Sequence, residues 1–537
     1  MANETKAKAA PIDKPLFFGS AGVIAVLVFL MIAYEDQSAT ALTNIFNFLT
    51  DQMGSVYLWA TLISFGFICW LAFGKYGKVK LGGPEATPEF KTGSWIAMFF
   101  CSGIGTSLLS WASKEWYYYY VSPPFGIEAE TTYAAEMASA YSLFHWGILG
   151  WVIYCIMAFP IGYAFYNRKY NSVRFSTACI GVIGEKNAKG ALGKFIDFLL
   201  ILGLMGANAT SLASGTPMLA ESVSILFKIP HTFMVDVVVI CIWTAIFTIS
   251  VTLGLKKGIK VLSDINVIGV LILCSFILIF GPTFFIINNF TNSVGLMAKD
   301  FFRMAFYTDA IGHSMFPQWW TVFYWAWYFA YAPYMGAFIA RISRGRTFKE
   351  IAFGVIGGGS IGCFLFHAIF GGNALYMQLT GQYDFVATAK ANGDFTAVVG
   401  AFMQLPFATV VLVLFVFVGF IYSATTIDSS AFTMATVASG DMDGDDEPVW
   451  WNRMFWAVML GGLSLVVMNI GGLTPIKTTS LVAAFPIMIF VMISLVSFNR
   501  WLKEDKPHLA QAKADMIAMQ KEMEEHEEVD LEPVYES

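Results

Sequence analysis

Charged residues are scarce in this sequence. They make up 13% of the 537 residues, whereas soluble globular domains carry about 25%. Hydrophobic residues reach 57%, and the mean hydropathy is +0.62. The chain therefore lacks the polar surface of a soluble protein, and we expect most of it to face lipid.

Basic residues are in the minority, and the net charge is -6. The acidic excess is confined to Asp441–Glu447 and to the segment after Met516. No basic surface suited to nucleic acid is therefore predicted. The Asp441–Glu447 run has glycine at its fourth position, whereas a calcium-binding EF-hand loop needs it at the sixth. We interpret this run as a solvated cytoplasmic loop.

Groups for catalysis or for holding a resident metal are missing as well. The seven cysteines are scattered without a CxxC pair, and only His145 and His367 among the six histidines lie well inside apolar segments. Neither paired carboxylates nor a nucleophile motif accompanies them. The sequence thus predicts no enzyme activity and no resident cofactor.

Long apolar segments are what the chain has in abundance. A helix of about 19 residues crosses the core of a bilayer, and about twelve segments of this kind follow one another. A polar tail, Met1–Lys14, precedes the first of them, which we interpret as a transmembrane helix instead of a cleaved signal. The approximate bounds are 16–34, 53–74, 93–111, 140–166, 196–227, 232–255, 262–288, 319–340, 351–378, 400–435, 450–471 and 475–500.

The distribution of basic residues supports this division into segments. Loops rich in Lys and Arg stay on the cytoplasmic side of a membrane. One alternate set of loops and ends holds 26 of the 32 basic residues. We therefore expect a multi-pass protein of the plasma (inner) membrane with both termini cytoplasmic. The opposite set holds only Lys114, Lys228, Lys299, Arg303, Lys390 and Lys477.

Glycine interrupts one apolar segment, in the run Cys101–Ser107. Gly103 and Gly105 each weaken a helix by about 1 kcal/mol, and broken helices near the membrane centre bind ions and substrates in secondary transporters. The alternative is close packing of two helices through small residues. Trp111 and Glu115 follow the glycines and favour a binding role, because a carboxylate is costly against lipid.

Aromatic residues are concentrated in two segments, His145–Tyr154 and Trp319–Tyr331. Ring faces around a small space bind a cation without hydrogen-bond donors, such as trimethylammonium, at about 0.5–2 kcal/mol per contact. Packing of rings between helices explains the same pattern, and Trp319 and Trp320 fit an interfacial belt. The composition by itself leaves both interpretations open.

Oxygen-bearing side chains follow one another inside the apolar segment that contains Tyr422–Ser430. Paired hydroxyls and freed backbone carbonyls can supply the ligands of a sodium ion. The alternative is that each hydroxyl bonds back to the preceding helical turn. Asp428 fits this alternative less well, because a carboxylate inside a membrane segment commonly marks a functional site.

The segment Phe323–Arg346 closely resembles the betaine/carnitine/choline transporter family. The similarity extends over nearly all of the apolar part of the chain, including Gly103–Gly105 and Phe144–Tyr154. It implies an all-α integral membrane protein with two inverted five-helix repeats of the LeuT type, preceded by two extra helices. It also implies a homotrimer in membrane lipid.

The resemblance divides the chain into six parts. They are a cytoplasmic N-terminal tail (1–15), two extra transmembrane helices (16–92), a first repeat (93–288), an amphipathic surface helix with a linker (289–318), a second repeat (319–501) and an acidic cytoplasmic C-terminal tail (502–537). Because the end of this tail is acidic, we expect uptake without strong osmotic activation.

The resemblance also implies the substrate site. The substrate is a small quaternary-ammonium or sulfonium zwitterion, of the class of glycine betaine, carnitine and dimethylsulfoniopropionate, and an amine oxide also fits. Tyr328 stands where the family generally has Trp, which allows a smaller or differently shaped head group. The implied aromatic box is Trp146, Trp151, Tyr154 and Tyr328, with Trp325, Trp327 and Tyr331 along the pathway, Trp111 as a further wall and Met335 as a substrate contact.

For energy coupling, the resemblance implies a sodium site. Its ligands correspond to Cys101, Ile104, Tyr422, Thr425 and Thr426. Sodium-independent exchangers of the family carry a fixed positive side chain instead, and we find no such residue in the apolar part of 261–298. Met335, in contrast, resembles a methionine of the carnitine exchangers. Sodium symport is the favoured interpretation, and precursor/product exchange is the alternative.

Overall fold

The computed structural model describes residues 9–103, 106–170, 172–253, 255–440, 447–470 and 473–505. Within these ranges the chain is helical apart from two short parallel strands, β1 (Ala9–Ala10) and β2 (Glu447–Pro448). The predicted all-α class is therefore confirmed. Most of the predicted loop at Asp441–Glu447 and of the C-terminal tail lies outside the described residues.

Helices follow one another in both halves of the chain. The first are α1 (Lys14–Ala33), α2 (Glu35–Asn47), α3 (Gly54–Phe73), α4 (Thr92–Gly103), α5 (Thr106–Val121), α6 (Thr132–Trp146), α7 (Ile148–Ile156), α8 (Ala158–Gly162), α9 (Phe175–Ala178), α10 (Ile180–Ile183), α11 (Glu185–Ala188) and α12 (Ala191–Phe227). The others are α13 (Phe233–Leu253), α14 (Leu255–Phe280), α15 (Thr283–Phe306), α16 (Phe323–Ile342), α17 (Phe348–Phe366), α18 (Gly372–Thr380), α19 (Phe385–Asn392), α20 (Asp394–Met403), α21 (Ala408–Val437), α22 (Trp450–Ile470) and α23 (Leu473–Glu504). Short π-helical segments occur at Phe48–Gln52, Tyr163–Asn167, Gln318–Val322 and His367–Gly371.

Many of these helices are long and apolar enough to cross a membrane. The described chain has eight such segments, or ten if each of two bent pairs forms one span. The predicted number of about twelve is therefore not confirmed. One reason is α16, whose many Trp and Tyr side chains lower its hydropathy.

Two sharp changes of helix direction shape the bundle. The axes of α4 and α5 differ by 71°, on either side of the predicted glycine break. The axes of α14 and α15 differ by 107° at Gly281 and Pro282, because proline has no backbone N–H to continue a helix and restricts the residue before it. The amphipathic helix predicted within 289–318 consequently begins already at Thr283.

Helix α16 lies at the centre of the bundle. It packs against α7, α12 and α23, and every one of its residues except Phe338 and Arg341 is buried. A helix that is buried on all sides can direct aromatic side chains at several neighbours at once. This position brings α16 next to the junction of α6 and α7, where the candidate site lies.

Candidate functional site

Four aromatic side chains of α6, α7 and α16 meet in one cluster. The ring centres of Trp151 and Tyr154 lie 5.5 Å apart, and those of Tyr154 and Tyr328 lie 5.0 Å apart. Trp146 lies 6.2 Å from Tyr328. Each pair meets edge to face, and all four side chains are buried. The residues predicted as an aromatic box are therefore brought together, and we call them the ring cluster.

Glycines allow the helices around the ring cluster to approach closely. A Cβ atom added at Gly150 would lie 2.7 Å from Cε2 of Tyr328. One added at Gly359 of α17 would lie 2.1 Å from Cδ2 of Trp151. Any side chain at these two positions would therefore displace a ring.

Met335 reaches the same region from the next turns of α16. A Cβ atom added at Gly103 would lie 2.7 Å from Cε of Met335 and 3.5 Å from Cε2 of Tyr154. The end of α4 therefore contacts both side chains. The structure thus places the predicted substrate contact Met335 at the edge of the ring cluster, beside the helix break.

The three predicted pathway residues surround the ring cluster. Trp327 lies 6.0 Å from Trp146 and donates from Nε1 to the carbonyl of Ala207 at 3.1 Å. Trp325 lies 6.1 Å from Tyr328, and its indole N–H has no partner among the described atoms. Tyr331 lies 6.1 Å from Tyr154. All three contact members of the ring cluster directly.

Trp111, predicted as a further wall, belongs to a neighbouring group of rings. Its ring centre lies 5.9 Å from that of Trp320 and 6.4 Å from that of Tyr324. Tyr324 in turn lies 5.5 Å from Trp146. Trp111 is therefore separated from the ring cluster by one tyrosine.

A buried lysine occupies this second group of rings. Nζ of Lys477 lies 3.7 Å from the ring centre of Trp320 and 4.6 Å from that of Phe323. It also donates to the carbonyl of Trp319 at 2.6 Å. The sequence interpretation assigned Lys477 to the outer loops and missed this role. The signal for it was a single basic residue inside the last apolar segment.

A buried carboxylate stands directly behind the ring cluster. Oε2 of Glu115 accepts hydrogen bonds from Nε1 of Trp146 and from the hydroxyl of Tyr324, both at 2.6 Å. Oε1 accepts from the hydroxyl of Tyr119 at 2.5 Å. These bonds fix the plane of the Trp146 indole and place a negative charge behind it. Charge-assisted bonds of this length are strong.

The predicted sodium ligands are only partly assembled. The hydroxyls of Thr425 and Thr426 both donate to the carbonyl of Tyr422, at 2.9 and 3.0 Å. This is the back-bonding alternative expected for hydroxyls in a helix, and it gathers three oxygens at one place. Cys101 is buried on α4, which packs against α21. Ile104 lies outside the described residues.

The arrangement of these side chains suits the binding of a cation better than catalysis. Ring faces attract a cation electrostatically, and a carboxylate behind one of the rings strengthens the field in the same direction. Contacts within the ring cluster are made by rings and a thioether, which suits a methylated head group. Most residues around it are apolar and a few are polar, as is typical of small-molecule sites.

Comparison with known families agrees with this geometry. A family profile described as "BCCT, betaine/carnitine/choline family transporter" matches residues 15–507. The match covers nearly the whole chain and includes both α6–α7 and α16, which form the ring cluster. Members of this family are transporters and not enzymes, and the repeated apolar helices agree with a multi-pass membrane protein. The chain therefore belongs to the betaine/carnitine/choline family of transporters.

Proposed function

We propose that the protein takes up a small quaternary-ammonium or sulfonium zwitterion, of the glycine betaine, carnitine or dimethylsulfoniopropionate class. The ring cluster binds the onium group, with Trp146 held in place by Glu115. The single observation that supports this most is the edge-to-face meeting of four buried rings from three helices at 5.0–6.2 Å. Ordinary core packing does not require a carboxylate bonded to one of those rings.

We further propose that uptake is coupled to sodium by alternating access. The carbonyl of Tyr422 and the hydroxyls of Thr425 and Thr426 supply oxygens, and Cys101 and Ile104 supply backbone carbonyls. The convergence of three of these oxygens supports this proposal. Binding sodium requires both hydroxyl hydrogens to turn away from the Tyr422 carbonyl, so that the oxygens face the ion.

A second candidate is sodium-independent exchange of carnitine-like compounds. The observation that favours it is the position of Met335, whose methyl group contacts the same glycine as Tyr154. A thioether at the edge of the cluster would contact a bound onium compound in either mechanism. The position of Met335 is therefore compatible with exchange as well as with symport, and exchange is the alternative proposal.

The architecture completes the proposal. Two inverted five-helix repeats of the LeuT type, within 93–288 and 319–501, would alternately expose the ring cluster to either side of the membrane. We place the protein in the plasma (inner) membrane with both termini cytoplasmic, as a homotrimer. Reversed orientation of the repeats is supported by the division of basic residues between alternate loops.

Transport by the reconstituted protein tests the proposal. Proteoliposomes are supplied with labelled glycine betaine, carnitine or dimethylsulfoniopropionate, first with an inward sodium gradient and then with potassium in place of sodium. Accumulation of one compound only with sodium supports symport. Uptake that is indifferent to sodium and needs preloaded substrate identifies an exchanger. Failure to take up any of the three under either condition rejects the proposed substrate class.

A further inference from the structure

Three titratable side chains, Glu115, His145 and His367, are buried together behind the ring cluster. Glu115 accepts three hydrogen bonds, which suits an ionised carboxylate. The single proton of Tyr119 goes to Glu115, so the Tyr119 oxygen accepts from Nδ1–H of His145 at 2.8 Å. Nε2 of His145 lies 3.0 Å from the hydroxyl of Thr321, which can donate to it. Neutral His145 thus has a partner for each nitrogen.

His367 is the member of this group with a nitrogen left over. Its Nδ1 must carry a proton, because its partner at 3.0 Å is the carbonyl of Cys363. Its Nε2 has no hydrogen-bond partner among the described atoms and lies 3.7 Å from Oε2 of Glu115. The imidazole also contacts the Trp146 ring, with ring centres 5.4 Å apart. A proton on Nε2 would complete an ion pair with Glu115.

A small cavity of mixed lining, with a volume of about 20 Å³, lies beside His367. Trp116, Leu143 and Phe290 form part of its apolar wall. Ser139 and Ser142 of α6 line it together with Asn289 and Ser293 of α15. His367 is one of the lining residues and is itself only 6% exposed. A cavity of this volume has room for about one water molecule, through which a proton can reach the imidazole.

We propose that Glu115 and His367 form a proton-binding site, filled through this cavity, and that proton binding opposes onium binding across Trp146. The inference rests on the proposed function, because it concerns the same ring cluster. The proton comes from hydronium in the surrounding solution and is relayed through water in the cavity. An O–H bond of hydronium breaks, an N–H bond forms on Nε2 of His367, facing Oε2 of Glu115, and water is left behind.

The sign of the linkage follows from charge. Protonated His367 is a cation on one side of Trp146, and the onium group is a cation on the other, so each weakens the binding of the other. Onium binding therefore releases a proton, and onium affinity rises with pH. Lys477 is a second cation near this group. It interacts electrostatically with Glu115 and His145, and it is repelled by Lys114. The remaining titratable neighbours are Tyr119, Tyr141, Tyr324, Tyr328 and Cys363.

Calorimetry on the full-length protein tests the inference. Glycine betaine, carnitine and dimethylsulfoniopropionate are titrated into the purified protein in sodium-containing medium between about pH 5.5 and about pH 8.5, the range in which histidine titrates. Two buffers with different ionisation enthalpies give the number of protons released. We expect onium binding to release protons within this range, and onium affinity to rise on the order of tenfold across it.

Matched variants assign the effect to the pair. His367→Gln and Glu115→Gln should each flatten the pH profile, whereas His231→Gln, which changes a loop histidine, should retain it. No proton release in the wild-type protein overturns the inference, and so does release that persists in His367→Gln. The wild-type measurement is decisive even if a variant does not fold. If none of the three compounds binds at any pH, the proposed function fails too, whereas pH-independent binding removes only the proton site.

Discussion

The ammonium of Lys477 lies 3.7 Å from the centre of the Trp320 ring, inside the helix bundle. Phe323 and Trp319 lie 4.6 and 5.3 Å from the same nitrogen. A charge that is removed from water is costly unless it has partners, and here three rings and one carbonyl provide them. One of the protein's own cations thus occupies an aromatic group next to the one that we propose for the substrate.

Replacing Lys477 by methionine should leave stability unchanged or raise it slightly. An unbranched apolar side chain of similar length fills the same space without the cost of burying a charge. Trp320→Ala, in contrast, should destabilise the protein by about 3–5 kcal/mol, because it leaves a cavity and removes the closest ring from the ammonium. The apparent melting temperature in detergent compares the two variants.

The double variant, Lys477→Met with Trp320→Ala, separates the loss of packing from the loss of the contact between the ring and the ammonium. If the ammonium needs the ring, Trp320→Ala should cost less in the Lys477→Met background than in the wild-type protein. Equal costs in both backgrounds would show that the ring acts only by filling space, and that its cation contact contributes nothing measurable.

The ring of Tyr328, and not its hydroxyl, should determine onium affinity. Tyr328→Phe loses a hydrogen bond to the carbonyl of His145, 3.1 Å long, but keeps the ring, so we expect a change of less than about threefold. Tyr328→Ala removes the ring and should weaken binding by about 1–2 kcal/mol, or roughly 5- to 30-fold. Equilibrium binding measures both. Equal losses in the two variants would argue against a ring contact.

Thr426→Val should abolish the dependence of uptake on sodium. Valine has nearly the same shape but no oxygen ligand, so the proposed site loses one of its donors. Thr433→Val is the matched control on the same helix, because its hydroxyl bonds back to Ser429 at 3.0 Å and is not part of the site. Uptake by proteoliposomes is measured over a range of external sodium. Unchanged sodium dependence in Thr426→Val would favour the exchange mechanism.

Stability should fall in alkaline solution because of His231, which lies in the loop between α12 and α13. Hydrogen bonds to Asp236 and Glu221 raise the pKa of this imidazole to about 9, from about 6.5 in an unfolded chain. The protonated imidazole between these two carboxylates therefore stabilises the fold fully below about pH 6.5, and this contribution is lost as pH rises through about 9. Melting temperatures at pH values on both sides of this range measure it.

His231→Gln provides the comparison for this prediction. The variant lacks the titrating group, so its stability should change less between neutral and alkaline pH than that of the wild-type protein. An identical alkaline decline in both proteins would assign the effect to other groups.

Much of the fold could be predicted because its cause is local. The membrane forces apolar residues into segments of a minimum length, so composition and spacing indicate the helices. The length of α15 was less predictable. Gly281 and Pro282 turn the chain by 107°, and a hydropathy window continues across such a turn because it registers composition and not direction. Helix α16 was hard to recognise for a different reason. It is buried among other helices and need not meet lipid, so its hydropathy is low.

The ring cluster was predictable only through the family resemblance. Aromatic residues are common throughout this chain, and their spacing along α7 and α16 did not distinguish a cation site from ordinary packing. Glu115 was recognisable as a costly group in an apolar segment, but its partners Tyr324 and Trp146 lie on two other helices. Contacts between residues that are far apart in sequence depend on how helices cross, and no local pattern encodes that.

The sequence by itself determined that this is a membrane protein, because the cost of placing charge and open backbone in lipid acts on every segment separately. The transporter family was indicated by the resemblance of the segment Phe323–Arg346. Only the tertiary structure decided which polar groups share a partner. It assigned Lys477 to the rings around Trp320 and joined Glu115 to Trp146 and His367. The reason is physical: a buried charge is stabilised by whatever surrounds it in space, and its neighbours in the bundle come from distant parts of the chain.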